Sequence, residues 1–479
     1  MDSKFVIKER NKELILNSII LGVGSIGTKL IQMLLIPIFS YMLSPKQYGE
    51  IDLIINTSQL IIPIISLGII EAIFRFTMDS SEDKSFIYST SMMIIFVGLV
   101  VLFITIKLIG IDRYEYISLM FMYTVSNIFY SSNLQFARAL EKIKLYMLTT
   151  FLVTLVMLLL NILFVVKLHL GVSGYITSSI LSNILGILNI FIFSGNLKYF
   201  NIKKISIKNS IRLLHYSVPT VVNTISWWIT NVSDRYIITF ILGVSANGLY
   251  SMACKIPSIM SLFTSVFSQA WQISAIKEHQ KNDLENFYSE IFNKYAFSLI
   301  IATSVIISII KPVSENILDS NYKNIWIYVP FLIISAKFSA ISSFVGTIYT
   351  ARKKNFMVTL STIIGAVLNI ILNIILIPKL GINGASIATL VSYICVVVFR
   401  IIDTNKYISL NINYKKYIYS VILIILQSIL LILNKKATLI ISNLICIFIL
   451  FKNRSILNQI VNIVYIKRLK FNRNRANKS

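Results

Sequence analysis

Apolar residues run in long blocks along the whole chain, each interrupted by a few polar or turn-forming positions. The blocks reach about 18 residues or more, enough helix to cross a hydrocarbon core of about 30 Å. They predict helices at 14–39, 48–74, 86–108, 115–137, 145–167, 174–194, 213–241, 248–274, 288–310, 325–349, 356–377, 382–402, 416–433 and 437–451. The expected fold class is therefore an all-α polytopic membrane protein with about 14 transmembrane helices. The outer connections are short, and none is long enough to fold by itself. The longest cytoplasmic connections are 195–212 and 276–287. The first divides the chain into an N-lobe, 1–200 (helices one to six), and a C-lobe, 201–410 (helices seven to twelve). Residues 411–479 are left as a last helix pair and a basic tail.

Internal similarity supports this division. LGVSGYITSSILS at 170–182, entering helix six, resembles LGINGASIATLVS at 380–392, entering helix twelve. Asparagine-containing apolar runs precede them at 161–166 and 373–377, and basic turns stand earlier still at 138–144 and 352–354. Six helices is an even number, so both copies insert the same way up, as a parallel repeat about an axis along the membrane normal. A second echo joins FSYMLSPKQYGEIDLI at 39–54 to NVSDRYIITFILGVSANGLYSMACKI at 231–256. In both, an apolar helix ends at a leucine, and a short turn with glycine leads into the next helix.

Composition agrees with the patterning: 56% of residues are hydrophobic and 14% charged, where a soluble chain carries about a quarter charged. A formal charge of +25 would point to nucleic acid in a soluble protein. Here most of the 45 Lys and Arg residues fall in tails and connections on one side, which is the positive-inside pattern. It predicts cytoplasmic N- and C-termini and leaves no need for a nucleic-acid partner. The basic tail at 452–478 adds a surface drawn to anionic membrane lipids. Lys4, Lys8, Arg10 and Lys12 precede an apolar run too long for a signal peptide, so the first helix is read as uncleaved. The three cysteines and three histidines are scattered, and no cofactor, metal site or disulfide is read from them. Gly22, Gly24 and Gly27 fit a dinucleotide-loop spacing but lack the strand that should precede it. With no nucleophile motif and no paired carboxylates in an outer connection, the chain does not read as an enzyme.

Ionisable residues inside the apolar blocks carry the functional signal, because each is costly in hydrocarbon. Lys29 shares a helix face with Ser18, Gly22, Ser25 and Gln32. It is either a structural partner of Asp52 or of another helix, or a cation lining a cavity. Arg235 shares a face with Thr224, Trp228 and Asn231, while its neighbour Asp234 points elsewhere and is free to pair with another helix. Lys255 aligns with Ser251 and Ser258, and Lys337 stands among apolar neighbours. Four such cations against two deep acids predict a net positive interior suited to an anion, and an arginine fork suits phosphate oxygens. Glu71 and Arg75 at the cytoplasmic end of helix two read as an interfacial pair or a gate contact. Pro63, Pro219 and Pro257 interrupt helices two, seven and eight and are candidate hinges. Trp227, Trp228 and Trp271 are packing groups, interfacial anchors or sugar-stacking surfaces.

Asp234-Arg235-Tyr236, Leu242-Gly243 and the run GLYS at 248–251 resemble the polysaccharide transporter family of the multidrug/oligosaccharidyl-lipid/polysaccharide exporter superfamily. So do LSPKQYG at 43–49, Leu67-Gly68 with Arg75, and GINGA at 381–385. The resemblance implies a flippase for oligosaccharide on an isoprenoid diphosphate, working by alternating access in surface polysaccharide synthesis (O-antigen, capsule or exopolysaccharide). It implies a bacterial cytoplasmic membrane location and polysaccharide polymerase machinery as a further partner. Related lipid II flippases have a cationic cavity lined by helices one, two, seven and eight, three of which here carry Lys29, Arg235 and Lys255. The alternatives are a cation-coupled drug or small-molecule antiporter of the same superfamily, and a membrane polysaccharide polymerase or ligase.

Overall fold

A computed structural model describes residues 27–79, 81–111, 115–278, 284–352, 354–455 and 458. Helices and their turns are the only regular elements among them. In chain order these are α1 (Gly27–Met42), α2 (Pro45–Ile65), α3 (Ile69–Thr77), α4 (Lys84–Ile109), α5 (Ile117–Ala139), α6 (Ile143–Asn161), α7 (Gly171–Ser194), α8 (Ile207–Leu242) and α9 (Val244–Ala253). Then follow α10 (Lys255–Glu278), α11 (Leu284–Ile317), α12 (Val329–Ala351), α13 (Asn355–Leu380), α14 (Ile382–Thr404), α15 (Tyr414–Leu433) and α16 (Lys436–Lys452). Among the described residues eight helices are long and apolar enough to cross a membrane, or nine if the bent pair α2–α3 is one span. This is a multi-pass helical membrane protein.

The chain forms two compact units, Met1–Ser251 and Met252–Ser479. In the first, α7 packs on α5 and α6, and α2 and α3 pack on α5 and α8. Ile73, Ile87, Ile95, Ile128 and Phe136 form its buried core. In the second, α14 packs on α12 and α13, α12 on α10 and α11, and the α15–α16 pair on α11. With no hydrophobic drive between helices in lipid, buried amides and hydroxyls supply directional ties. Gln427 of α15 donates to Ser304 O and Ser308 Oγ at 3.0 Å each and accepts from Ser304 Oγ at 2.7 Å.

The paired glycine motifs do the same local job in each unit. A Cβ on Gly174 would come 3.2 Å from Phe164 O, and one on Gly384 would come 2.4 Å from Leu376 O. Each glycine thus lets its helix start pass close to the end of the helix before it. The first copy alone carries a π-helical turn there, Ile162–Lys167, within its longer connection.

Helix two of the sequence reading is two helices. The chain bends by 61° between α2 and α3, not at Pro63 but at Leu67 (φ 49°) and Gly68 (φ 70°), where left-handed backbone ends the first helix. Ser217 Oγ of α8 donates to Leu67 O at 2.7 Å. Gly98 of α4 lies so near that a Cβ there would sit 2.0 Å from Ile65 O. The carbonyls freed by the bend therefore meet protein on two sides rather than lipid. Pro219, by contrast, sits inside the continuous helix α8.

Candidate functional site

The site is built on a helix crossing. Ser44 caps α2 reciprocally with Gln47, accepting from Gln47 N at 3.3 Å while Gln47 Oε1 accepts from Ser44 N at 3.0 Å. Pro45 follows at the first helical position, where a missing N–H costs nothing. One turn on, Gly49 meets Gly248 of α9. A Cβ on Gly49 would come 2.2 Å from Val244 O, and one on Gly248 would come 1.8 Å from Pro45 O. The contact is reciprocal, each glycine lying on the carbonyl four residues before the other. Only glycine permits this backbone approach.

The crossing draws the ionisable groups together. Arg235 Nε of α8 lies 3.2 Å from Asp52 Oδ2 of α2, with the side chains 17% and 12% exposed. An Arg235 terminal nitrogen donates to Asn231 O at 3.3 Å. Asp52 also accepts from Asn247 Nδ2 at 3.3 Å, and the same amide donates to Gly49 O at 3.4 Å. Asp234 is buried, with its Oδ2 accepting from the Tyr250 hydroxyl of α9 and its Oδ1 from Arg235 N. Adjacent residues on α8 thus engage different helices. Beside them, Thr57 Oγ1 and Tyr236 Oη share a hydrogen bond of 2.7 Å, and Trp228 Nε1 donates to Asn56 O at 2.9 Å. This crossing holds two carboxylates to one guanidinium, so the positive balance expected of the interior is not found here.

The structure gathers Asp52, Asp234, Arg235 and Asn231 at one place. Lys29 is half-buried and Gln32 exposed on α1 of the same unit, while Ser25 lies outside the described residues. Glu71 and Arg75 are exposed on α3, and no ion pair joins them. Lys255 is exposed at the start of α10, in the second unit. Lys337 of α12 is fully buried there, its Nζ without a hydrogen bond, 3.9 Å from the Phe338 ring centroid and 5.2 Å from that of Tyr417.

Tyr250, Asn247 and the reciprocal glycines escaped the sequence reading as site residues, although all lie in the two turn motifs it singled out. Arg400 escaped too, being near a helix end. It is buried, with Nε donating to Ser361 Oγ at 2.8 Å and its terminal nitrogens to Ser342 O, Val358 O and Thr362 Oγ1 at 2.8 to 3.1 Å.

The family described as "Polysaccharide biosynthesis protein" matches residues 14–273, a stretch that contains the whole crossing. The chain belongs to that family. Its similarity extends to a probable low-salt glycan biosynthesis flippase of Haloferax volcanii, 28% identical over 224 residues, covering 45% of this chain and 46% of that protein. An uncharacterized membrane protein of Methanocaldococcus jannaschii is 28% identical over 264 residues, covering 51% and 62%. The chain thus spans about half to three-fifths of the curated relatives it matches. Among solved structures, this member of the polysaccharide biosynthesis family shares the fold of the lipid II flippase MurJ, with TM-score 0.68 and 15% identity over 93% of this chain and 99% of that one. It also shares the fold of an inward-facing multidrug resistance MATE family transporter of the MOP superfamily, with TM-score 0.65 and 16% identity over 79% and 95%.

Proposed function

We propose that the protein is a flippase moving isoprenoid-diphosphate-linked oligosaccharide across a bacterial cytoplasmic membrane for surface polysaccharide synthesis. The observation that carries the reading is the Arg235 guanidinium, held among carboxylates inside membrane helices of a chain with a flippase-like fold. An arginine in that position is a ready partner for diphosphate oxygens once a substrate anion competes with Asp52. Lys29 and Lys255 add charge compensation, and Ser25, Gln32 and Asn231 add polar contacts. Lys337, enclosed between Phe338 and Tyr417, has no open face in this conformation and is left out of the set. The lobes 1–200 and 201–410 alternate access, with 411–479 appended and both termini cytoplasmic. Glu71 and Arg75, exposed near the cytoplasmic end of that span, serve as a gate.

Depletion in host cells tests the reading. Lipid-linked oligosaccharide should accumulate and react with an impermeant headgroup-specific lectin only after spheroplasts are lysed. Reaction on intact spheroplasts would place the defect after flipping, with a polymerase or ligase. In complemented cells, Arg235→Ala should abolish export, and raising its expression until the membrane holds the wild-type amount of protein should not restore it. The excess of carboxylate over guanidinium at the crossing favours one second reading, a cation-coupled antiporter, which predicts no accumulation.

A further inference from the structure

Helix α8 shows two different exposed faces. Ile211, Val218 and Val222, seven and four residues apart, are exposed and apolar, as suits a surface facing lipid. A second stripe is polar: Asn223, Trp227 and Asn231 follow at four-residue intervals, and the next step is Arg235. Asn223 is exposed, and among the described residues its carboxamide has no hydrogen-bond partner. An unsatisfied amide against hydrocarbon is costly, so this stripe faces water.

Trp227 stands out on that stripe. The other three tryptophans are buried or half-buried. Trp228 donates to Asn56 O and packs on Tyr236 at 5.3 Å. Trp271 donates to Thr347 Oγ1 at 2.9 Å and stacks on Phe344 at 4.6 Å. Trp326 is buried beside Lys311. Trp227 is 63% exposed, with no ring neighbour and no partner for its indole N–H among the described residues. Residues 216–233 contain no Lys, Arg, Asp or Glu. The neutral stretch ends at Asp234 and Arg235, about 12 Å along the helix from Trp227.

Charge at one end of a water-facing stripe, then amides and an open indole face, matches the order of groups in a diphosphate-linked glycan. Aromatic faces with a few placed amides are how binding sites hold amphipathic rings. We propose that Trp227, with Asn223 and Asn231 one turn to either side, is the platform for the sugar rings of the carrier-linked glycan and selects which glycan is carried. The inference rests on the flippase reading above.

The test uses full-length protein in nanodiscs and two probes: carrier-linked glycan extracted from the producing cells, and the same carrier diphosphate without sugar. Wild-type protein should bind the glycosylated probe about tenfold more tightly, the scale of a lost ring contact. Trp227→Leu should erase that preference and leave affinity for the bare diphosphate unchanged, and Trp227→Phe should restore most of it. Arg235→Ala should weaken both probes. If Trp227→Leu keeps the wild-type preference, or the wild type binds both probes equally, the platform is refuted while the flippase reading stands. If wild-type protein binds neither probe, both fall together.

Discussion

Arg235 in the first unit lies beside carboxylates, whereas Lys337 in the second lies against two aromatic rings with no acid in ion-pair range among the described residues. Both are cations inside apolar helices, and both had to be compensated. Ion pairing makes Arg235 exchangeable, because a competing anion can take the place of Asp52. The ring faces around Lys337 offer only quadrupole attraction, and full burial leaves no route for an anion. Arg400 is a third solution, its donors satisfied by hydroxyls and main-chain carbonyls alone. A charge in the membrane is therefore not by itself a substrate contact. What matters is whether its partner can be replaced.

Substitution at the two cations is the sharpest way to break this contrast. Arg235→Ala leaves Asp52 without its guanidinium and Asp234 without a neighbouring cation, and should cost about 3–5 kcal/mol. Lys337→Met removes a charge that leaves nothing unpaired, and should be neutral or stabilising by about 1 kcal/mol. Thermal unfolding of purified protein in detergent measures both, and losses of similar size would dissolve the distinction. Next in size is Tyr250→Phe, which deletes one donor to the buried Asp234 carboxylate and should cost about 1.5–3 kcal/mol. A negligible change in the same assay would mean that Tyr250 does not hold Asp234.

The smallest effect concerns a pair at the membrane's edge, where solvent does most of the compensating. Lys204 Nζ lies 2.6 Å from Asp83 Oδ2, and Asp83 caps α4 by accepting from Ser85 N at 2.9 Å. The hydrogen bond from Lys204 holds the Asp83 carboxyl below the usual carboxylate range. Its stabilisation is therefore present above the unfolded carboxylate range and lost as pH falls through the lowered folded value. Both side chains are over one-third exposed, so screening keeps the pair to roughly 1 kcal/mol or less. Asp83→Asn should lower the neutral plateau of a stability–pH curve by about 1 kcal/mol or less and leave stability at acid pH nearly unchanged, which flattens the acid limb.

The spans were legible because lipid demands long apolar helices, and each block the pattern marked is helical over most of its described residues, though 48–74 breaks at Leu67 and Gly68 and 248–274 at Cys254. Arg235 and Asp234 were legible for the same reason, since their cost in hydrocarbon marks them. Their partners were not. That Arg235 reaches Asp52 and Asp234 reaches Tyr250 depends on how α2, α8 and α9 cross, which no spacing within one helix encodes. Proline misled in both directions, for the bend falls at Leu67 and Gly68 while Pro219 leaves α8 continuous. Lys337 and Arg400 show the same limit: the sequence marked the first and passed over the second, and only packing decides what surrounds either.

The glycine contact between α2 and α9 has a mechanical meaning. Where helices meet through side chains, rotamer changes let them settle closer or further apart. Here main chain lies on main chain at both Gly49 and Gly248, and nothing at the point of contact can yield. Pressing the two helices together meets a hard stop, while parting them breaks mainly polar contacts around Asp52 and Asp234. The crossing is a joint that is stiff in compression and compliant in separation, so it has a defined closed position and freedom in only one direction from it.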